Sequence, residues 1–186
     1  MNWFKIDDTP LVGLKLVQRE RRTDSRGFLS RIFCADELAA AGWTAPIAQI
    51  NHTFTGRAGT VRGLHYQRPP HAEIKLVTCL SGAVWDVVVD LRAGSPTFLR
   101  WHAVSLSVEN GAALLIPAGF AHGFQSLADD VALLYCHSTG HAAQAEAGLN
   151  PMDKRLGVNW PLPVIGLSER DMGHAAITDQ FNGVAI

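Results

Sequence analysis

Ile74-Lys75-Leu76-Val77-Thr78-Cys79-Leu80, then Ser81-Gly82, then Ala83-Val84-Trp85-Asp86-Val87-Val88-Val89-Asp90-Leu91 is the stretch that decides the fold. Two largely apolar runs, the second rich in Val, flank a Ser-Gly turn signal, and runs of this length and composition read as strands. The pattern continues downstream. Gly94-Ser95-Pro96 breaks the chain before a strand at 98–107, Gly111 precedes another at 112–116, Pro117-Ala118-Gly119 breaks it again, and 131–136 is a further apolar run. Short strands about every ten residues, parted by Gly, Pro and Asn, predict an all-β sandwich or barrel. Upstream, residues 35–42 hold helix formers closed by Gly42, the clearest short helix. After Gly140 the pattern weakens, and residues 150–163, with three prolines, read as loop and arm. A length of 186 residues fits one domain, here residues 1–186, with a β core at about 45–137, an N-terminal arm and a C-terminal wrapping segment. No internal repeat or low-complexity tract interrupts it.

Hydrophobic residues make up 47% of the chain and charged residues 18%, a soluble globular composition. A net charge of −1 leaves no footprint for nucleic acid or an anionic membrane surface. It still permits a local group of arginines aimed at a small phosphorylated ligand. Cys34, Cys79 and Cys136 are widely spaced, with no CxxC, and read as reduced thiols. The opening MNWFKIDDTP lacks the basic and apolar regions of a signal peptide, and no apolar run approaches the ~18–20 residues of a membrane span. The expectation is a cytoplasmic, soluble protein.

The densest polar cluster is Arg62-Gly63-Leu64-His65-Tyr66-Gln67. Strand alternation puts Arg62 and Leu64 on one face and His65 and Gln67 on the other. Taken singly, His65 reads equally as a satisfied core histidine, and Lys75 as a solvent-facing strand residue. Together on adjacent strands they point to an acid–base site. Tyr135, one of two tyrosines, lies on a core strand and by itself reads as readily as a packed ring. Leu167-Ser168-Glu169-Arg170-Asp171 alone reads as a capped, solvated turn.

Pro117-Ala118-Gly119-Phe120-Ala121-His122-Gly123-Phe124 has the form PxGxxHxF and resembles the second motif of the cupin superfamily, which implies a small double-stranded β-helix or jelly roll. Cupins that hold a metal usually carry HxH and a Glu in their first motif. Here the matching pair is His65 and Gln67. A metal would need His65 and His122 with Glu73 or Gln67 as a third ligand. The reading taken is that no metal or other cofactor is used.

Over residues 24–171 the chain resembles the dTDP-4-dehydrorhamnose 3,5-epimerase family. The resemblance rests on Asp24-Ser25-Arg26-Gly27, Gln49-Ile50-Asn51, the 61–67 block, Lys75, residues 86–92 and 94–98, the PxGxxHxF motif, Tyr135, Trp160-Pro161 and residues 167–171. Such enzymes act on a sugar whose 4-keto group acidifies the protons on C3 and C5. The resemblance implies His65 as the base, with Asp171 bonded to its other ring nitrogen, and Tyr135 as the acid across the sugar. It implies Lys75 on the C4 oxyanion, Arg26 and Arg62 on the diphosphate, Gln49 and Asn51 placing nucleotide and sugar, and His122 lining the sugar pocket. It also implies a homodimer whose N-terminal arm crosses to the partner.

The chain departs from the family where x-Phe-x-Glu is usual, reading Phe28-Leu29-Ser30-Arg31, and has His141 where a second Tyr is common. Leu29 and Arg31 thus bear on recognition of the base, and His141 on handling of C3, C4 or C5. The alternatives are a single-carbon epimerase, a CDP- or GDP-sugar enzyme, a metal-dependent cupin oxygenase or isomerase, and a sugar-binding cupin without catalysis.

Overall fold

A computed structural model describes residues 2–186. In chain order its elements are β1 (Phe4–Asp8), β2 (Lys15–Arg19), β3 (Arg21–Asp24), β4 (Gly27–Ser30), α1 (Ala35–Ala39), β5 (Gln49–Thr55), β6 (Val61–Gln67), β7 (Lys75–Ser81), β8 (Ala83–Asp90), β9 (Trp101–Ser107), β10 (Ala112–Ile116), β11 (Phe120–Ser126), β12 (Val131–His137), β13 (Glu146–Gly148) and α2 (Glu169–Met172). One sheet runs β1-β2-β10-β7-β12-β5 and the other β13-β6-β11-β8-β9, with every pair antiparallel. From β5 onward the chain passes back and forth between the two sheets, and only β8 and β9 are successive within one. This is the jelly roll of the cupins.

Alternation along the strands sorts the core into layers. Val131, Leu133 and Tyr135 of β12, Val77 and Cys79 of β7, and Ala112, Leu114 and Ile116 of β10 face Val84 and Val88 of β8 and Phe120 and Phe124 of β11. Leu76, Ala113, Leu115 and Cys136 point the other way, where Leu38 of α1 and Trp43 cover them. Leu64, Tyr66, Val87 and Val89 form the outer face of the second sheet. The C-terminal segment lies across it through Leu149, Leu156, Ile177 and Val184.

The sheets extend beyond the expected core of 45–137. β1 and β2 are too mixed in polarity to read as strands alone, but β2 pairs with β10 and β1 with β2, which lengthens the first sheet. The expected helix at 35–42 is shorter, and the strand expected from 98 starts at Trp101. Residues 98–100 are instead held in a turn, with Leu99 N–H donating to the Asp90 carbonyl and Arg100 N–H to that of Thr97. Asp90 also accepts from Arg92, Ser95 and Thr97, which accounts for the Asp-Leu-Arg and Ser-Pro-Thr pieces of the family pattern.

Candidate active site

A cavity of about 620 Å³ opens between the sheets, lined by β5, β7 and β12 on one side and β6 and β11 on the other. His65 stands on β6, where the expected alternation fails. Arg62 pairs with Phe124 but His65 with His122, so three steps on β6 match two on β11. Such a bulge switches the facing of side chains. Arg62 therefore lines the cavity beside His65 and Gln67, while Leu64 goes with Tyr66 to the outer layer. Only glycines fit this crossing. A Cβ on Gly63, whose φ is +129°, would meet the Gly123 Cα at 2.5 Å.

His65 Nε2 lies 2.7 Å from Asp171 Oδ1. An ionised carboxylate only accepts, so Nε2 carries the proton and Nδ1 keeps the lone pair. Asp171 is 4% exposed and also accepts from Gly63 N–H at 3.2 Å. Its own N–H donates to the Ser168 hydroxyl, the N-cap of α2, so the turn at 167–171 is capped, with Ser168, Glu169 and Arg170 exposed and Asp171 alone buried. Burial pushes the His65 pKa below its ordinary value, and the bond to Asp171 opposes that shift. The ring is thus held neutral, as a base must be.

The opposite wall carries Tyr135. Burial, then the nearby Asp86 charge, push its phenol well above the ordinary tyrosine range. His122 meets Tyr135 edge to face at 5.8 Å between centroids, and its Nε2 lies 2.9 Å from both oxygens of the buried Asp86. Lys75, 7% exposed, pairs with Glu73 Oε1 at 3.0 Å. The other Glu73 oxygen takes His137 Nδ1 at 3.0 Å and the Gln67 amide at 3.1 Å. Burial works against the Glu73 charge, but His137 and Lys75 outweigh it and hold the carboxyl below its ordinary range.

At the rim, the Gln49 amide donates to Asn51 Oδ1 at 2.9 Å, and His141 N–H donates to Gln49 Oε1 at 2.9 Å. The His141 ring pairs with Glu146 at 3.1 Å. Arg62 is anchored by Nε to the Thr55 hydroxyl and by Nη2 to the Phe54 carbonyl, both at 3.1 Å. Arg26, Leu29 and Arg31 stand apart from this chain's own cavity. Arg26 sits at the tip of the β3–β4 hairpin, paired with Asp24 at 2.6 Å, and Leu29 is exposed. Arg31 pairs with Glu37 at 2.7 Å and covers the Trp3 ring.

The ligand set weighed from sequence does not assemble around one point. His65 is taken by Asp171, His122 by Asp86, and Glu73 by Lys75, His137 and Gln67. Among the described residues, the group of His, Cys or acid side chains close enough to share an ion is His65, Asp171 and His174. In it the first two already bond each other. Sequence reading missed Asp86, His137 and His174, and treated Glu73 only as a metal ligand.

The family model for dTDP-4-dehydrorhamnose 3,5-epimerase matches residues 8–179. The chain is 39% identical over 167 residues to the dTDP-4-dehydrorhamnose 3,5-epimerase of Sinorhizobium fredii, covering 89% of this chain and 86% of that one. It is 40% identical over 151 residues to a dTDP-4-dehydro-6-deoxyglucose 3-epimerase of Streptomyces bikiniensis, covering 80% of this chain and 76% of that one. The crystal structure of the dTDP-6-deoxy-D-glucose-3,5-epimerase of Legionella pneumophila, in complex with dTDP-4-keto-L-rhamnose, superposes with a TM-score of 0.91 at 33% identity over 98% of each chain. Sequence motifs, jelly roll and these likenesses agree: the chain belongs to the dTDP-4-dehydrorhamnose 3,5-epimerase family, whose members are carbohydrate epimerases.

Proposed function

We propose that the chain inverts C3 and C5 of a nucleoside-diphosphate 4-keto-6-deoxy sugar, foremost dTDP-4-dehydro-6-deoxy-D-glucose, using side chains alone. The observation that carries this reading is the buried His65–Asp171 pair on one wall of the cavity, with Tyr135 on the other. His65 Nδ1 takes the proton beside the ketone, and the electron pair moves to the C4 oxygen. The Lys75 ammonium offsets that charge, an effect worth several kcal/mol (about 3) where water is excluded. A proton returned from the Tyr135 side re-forms the carbon–hydrogen bond with inverted geometry. Arg62, on the cavity wall, takes the diphosphate, and Gln49, Asn51 and His122 position the sugar and nucleotide.

Arg26, Leu29 and Arg31 act in this reading from a second copy, through the projecting β3–β4 hairpin. The exposed Phe28 and Leu29 of that hairpin, and the exposed Ile50 and Phe54 on the edge strand β5, support a homodimer. Three free cysteines support a cytoplasmic setting. Among the described residues no helix is long and apolar enough to cross a membrane. Inversion at one carbon only is the second reading, favoured by His141 at the rim and by the likeness to a 3-epimerase.

Substituting the base tests the proposal. His65→Asn should keep the fold and nucleotide binding while turnover falls by about 10²–10⁴. Turnover within a few-fold of the parent would remove His65 as the base.

A further inference from the structure

The cavity holds a second histidine–carboxylate pair that the mechanism above leaves unused. His137 Nδ1 lies 3.0 Å from Glu73 Oε2, where His65 Nε2 lies 2.7 Å from Asp171 Oδ1, and both carboxylates are buried. In each pair other donors hold the carboxylate: Gly63 N–H for Asp171, Lys75 and Gln67 for Glu73. The two histidines stand on different sheets, His65 on β6 and His137 on β12, and both line the cavity. The remaining nitrogen of His137, Nε2, has only the Asn51 amide at 3.5 Å, the edge of hydrogen-bonding range. It is available to a ligand.

His137 follows Tyr135 by two residues on one strand, so both side chains leave the same face, about 7 Å apart along the strand. Their rings stack at 6.0 Å between centroids and 17° between planes. The wall opposite His65 therefore presents a phenol and an imidazole side by side, and the sugar has two carbons to reprotonate, one on each side of C4. We propose that His137, held by Glu73, is a second proton donor of this site, serving one of these carbons while Tyr135 serves the other. The inference rests on the epimerase reading given above. Burial makes the Tyr135 phenol less acidic, whereas an imidazolium is the stronger acid toward carbon.

The step balances. His65 removes the proton from carbon and becomes imidazolium as the electron pair moves to the C4 oxygen. The pair returns to form a new carbon–hydrogen bond with the Nε2 proton of His137, C4 becomes a ketone again, and His137 is left neutral with Nδ1–H on Glu73. Water takes the proton from His65 and restores one to His137.

The test uses the full chain with dTDP-4-dehydro-6-deoxy-D-glucose in heavy water, following deuterium and configuration at C3 and C5 by NMR. His137→Asn should slow inversion at one carbon by about 10²-fold, while His65-dependent exchange at both carbons stays within about threefold. Tyr135→Phe should give the complementary pattern, losing inversion at the other carbon. If folded His137→Asn inverts both carbons at the parental rate, His137 is no donor. If exchange and inversion fall together, His137 acts only through Glu73 on Lys75, and the proposal also fails. Absence of exchange with the parent protein is a different result, since it sinks the epimerase reading itself.

Discussion

At the scale of single residues, His65 is pulled two ways. Burial disfavours its charged form, and Asp171 favours it. The net shift is downward, so the acid limb of kcat/KM should lie below the ordinary histidine value of about 6.5. Asp171→Asn removes the opposing pull. The limb should then move to still lower pH, and the plateau should drop by about 10²-fold or more as the ring loses its orienting partner. A pH–rate profile checks both, and an acid limb that moves up instead would contradict the assignment. The same downward shift means that the unfolded ring binds a proton more readily than the folded one. Its contribution to stability is present above about pH 6.5 and is lost as the pH falls below that value. His65, Lys75, His122, Tyr135 and Asp171 were named from the sequence through the family resemblance rather than from local pattern alone, and the structure brings all five to the cavity. His137 and Asp86 were not named. Their partners lie 64 and 36 residues away, so no short-range spacing marks them.

At the scale of elements, the bulge in β6 matters most. Strict alternation would turn Arg62 away from His65, yet both reach the cavity because three residues on β6 span two on β11. Gly63→Ala puts a methyl group 2.5 Å from the Gly123 Cα and 2.9 Å from the His122 carbonyl, on backbone at positive φ. Overpacking and backbone strain of this kind cost about 1–3 kcal/mol each. The variant should unfold earlier in a thermal melt and lose turnover, because the segment that moves carries His65. A melt and turnover equal to the parent's would show that the crossing relaxes freely. The strands of the central stretch were legible from their apolar runs. β1, β2 and β13 were not, since they become strands only by pairing with β2, β10 and β6 in turn. The four-residue helix α2 was hidden for a similar reason: its value lies in Asp171, held against β6 by contacts distant in sequence.

At the scale of the whole molecule, β5 is an edge strand that exposes Ile50 and Phe54. An apolar edge invites a partner strand. Sedimentation velocity should show a species of twice 20.1 kDa, and Ile50→Glu with Phe54→Glu should shift it to the monomer. A monomeric parent would rule out the dimer. An all-β sandwich or barrel was legible because strands recur at short intervals, and the resemblance of PxGxxHxF to a cupin motif narrowed it to a jelly roll. The path of the C-terminal segment was not, because its apolar residues are scattered among prolines and polar residues and find their order only on the outer face of the second sheet. That path carries a temporal consequence. Ribosomes deliver the strands bearing His65, Lys75 and Tyr135 well before Asp171. A nascent chain can assemble both sheets and still lack the group that orients its base. On the proposed assignment, proton abstraction speeds up when the trailing segment docks, and a product truncated before Asp171 is slower by about 10²-fold or more however well its barrel has formed.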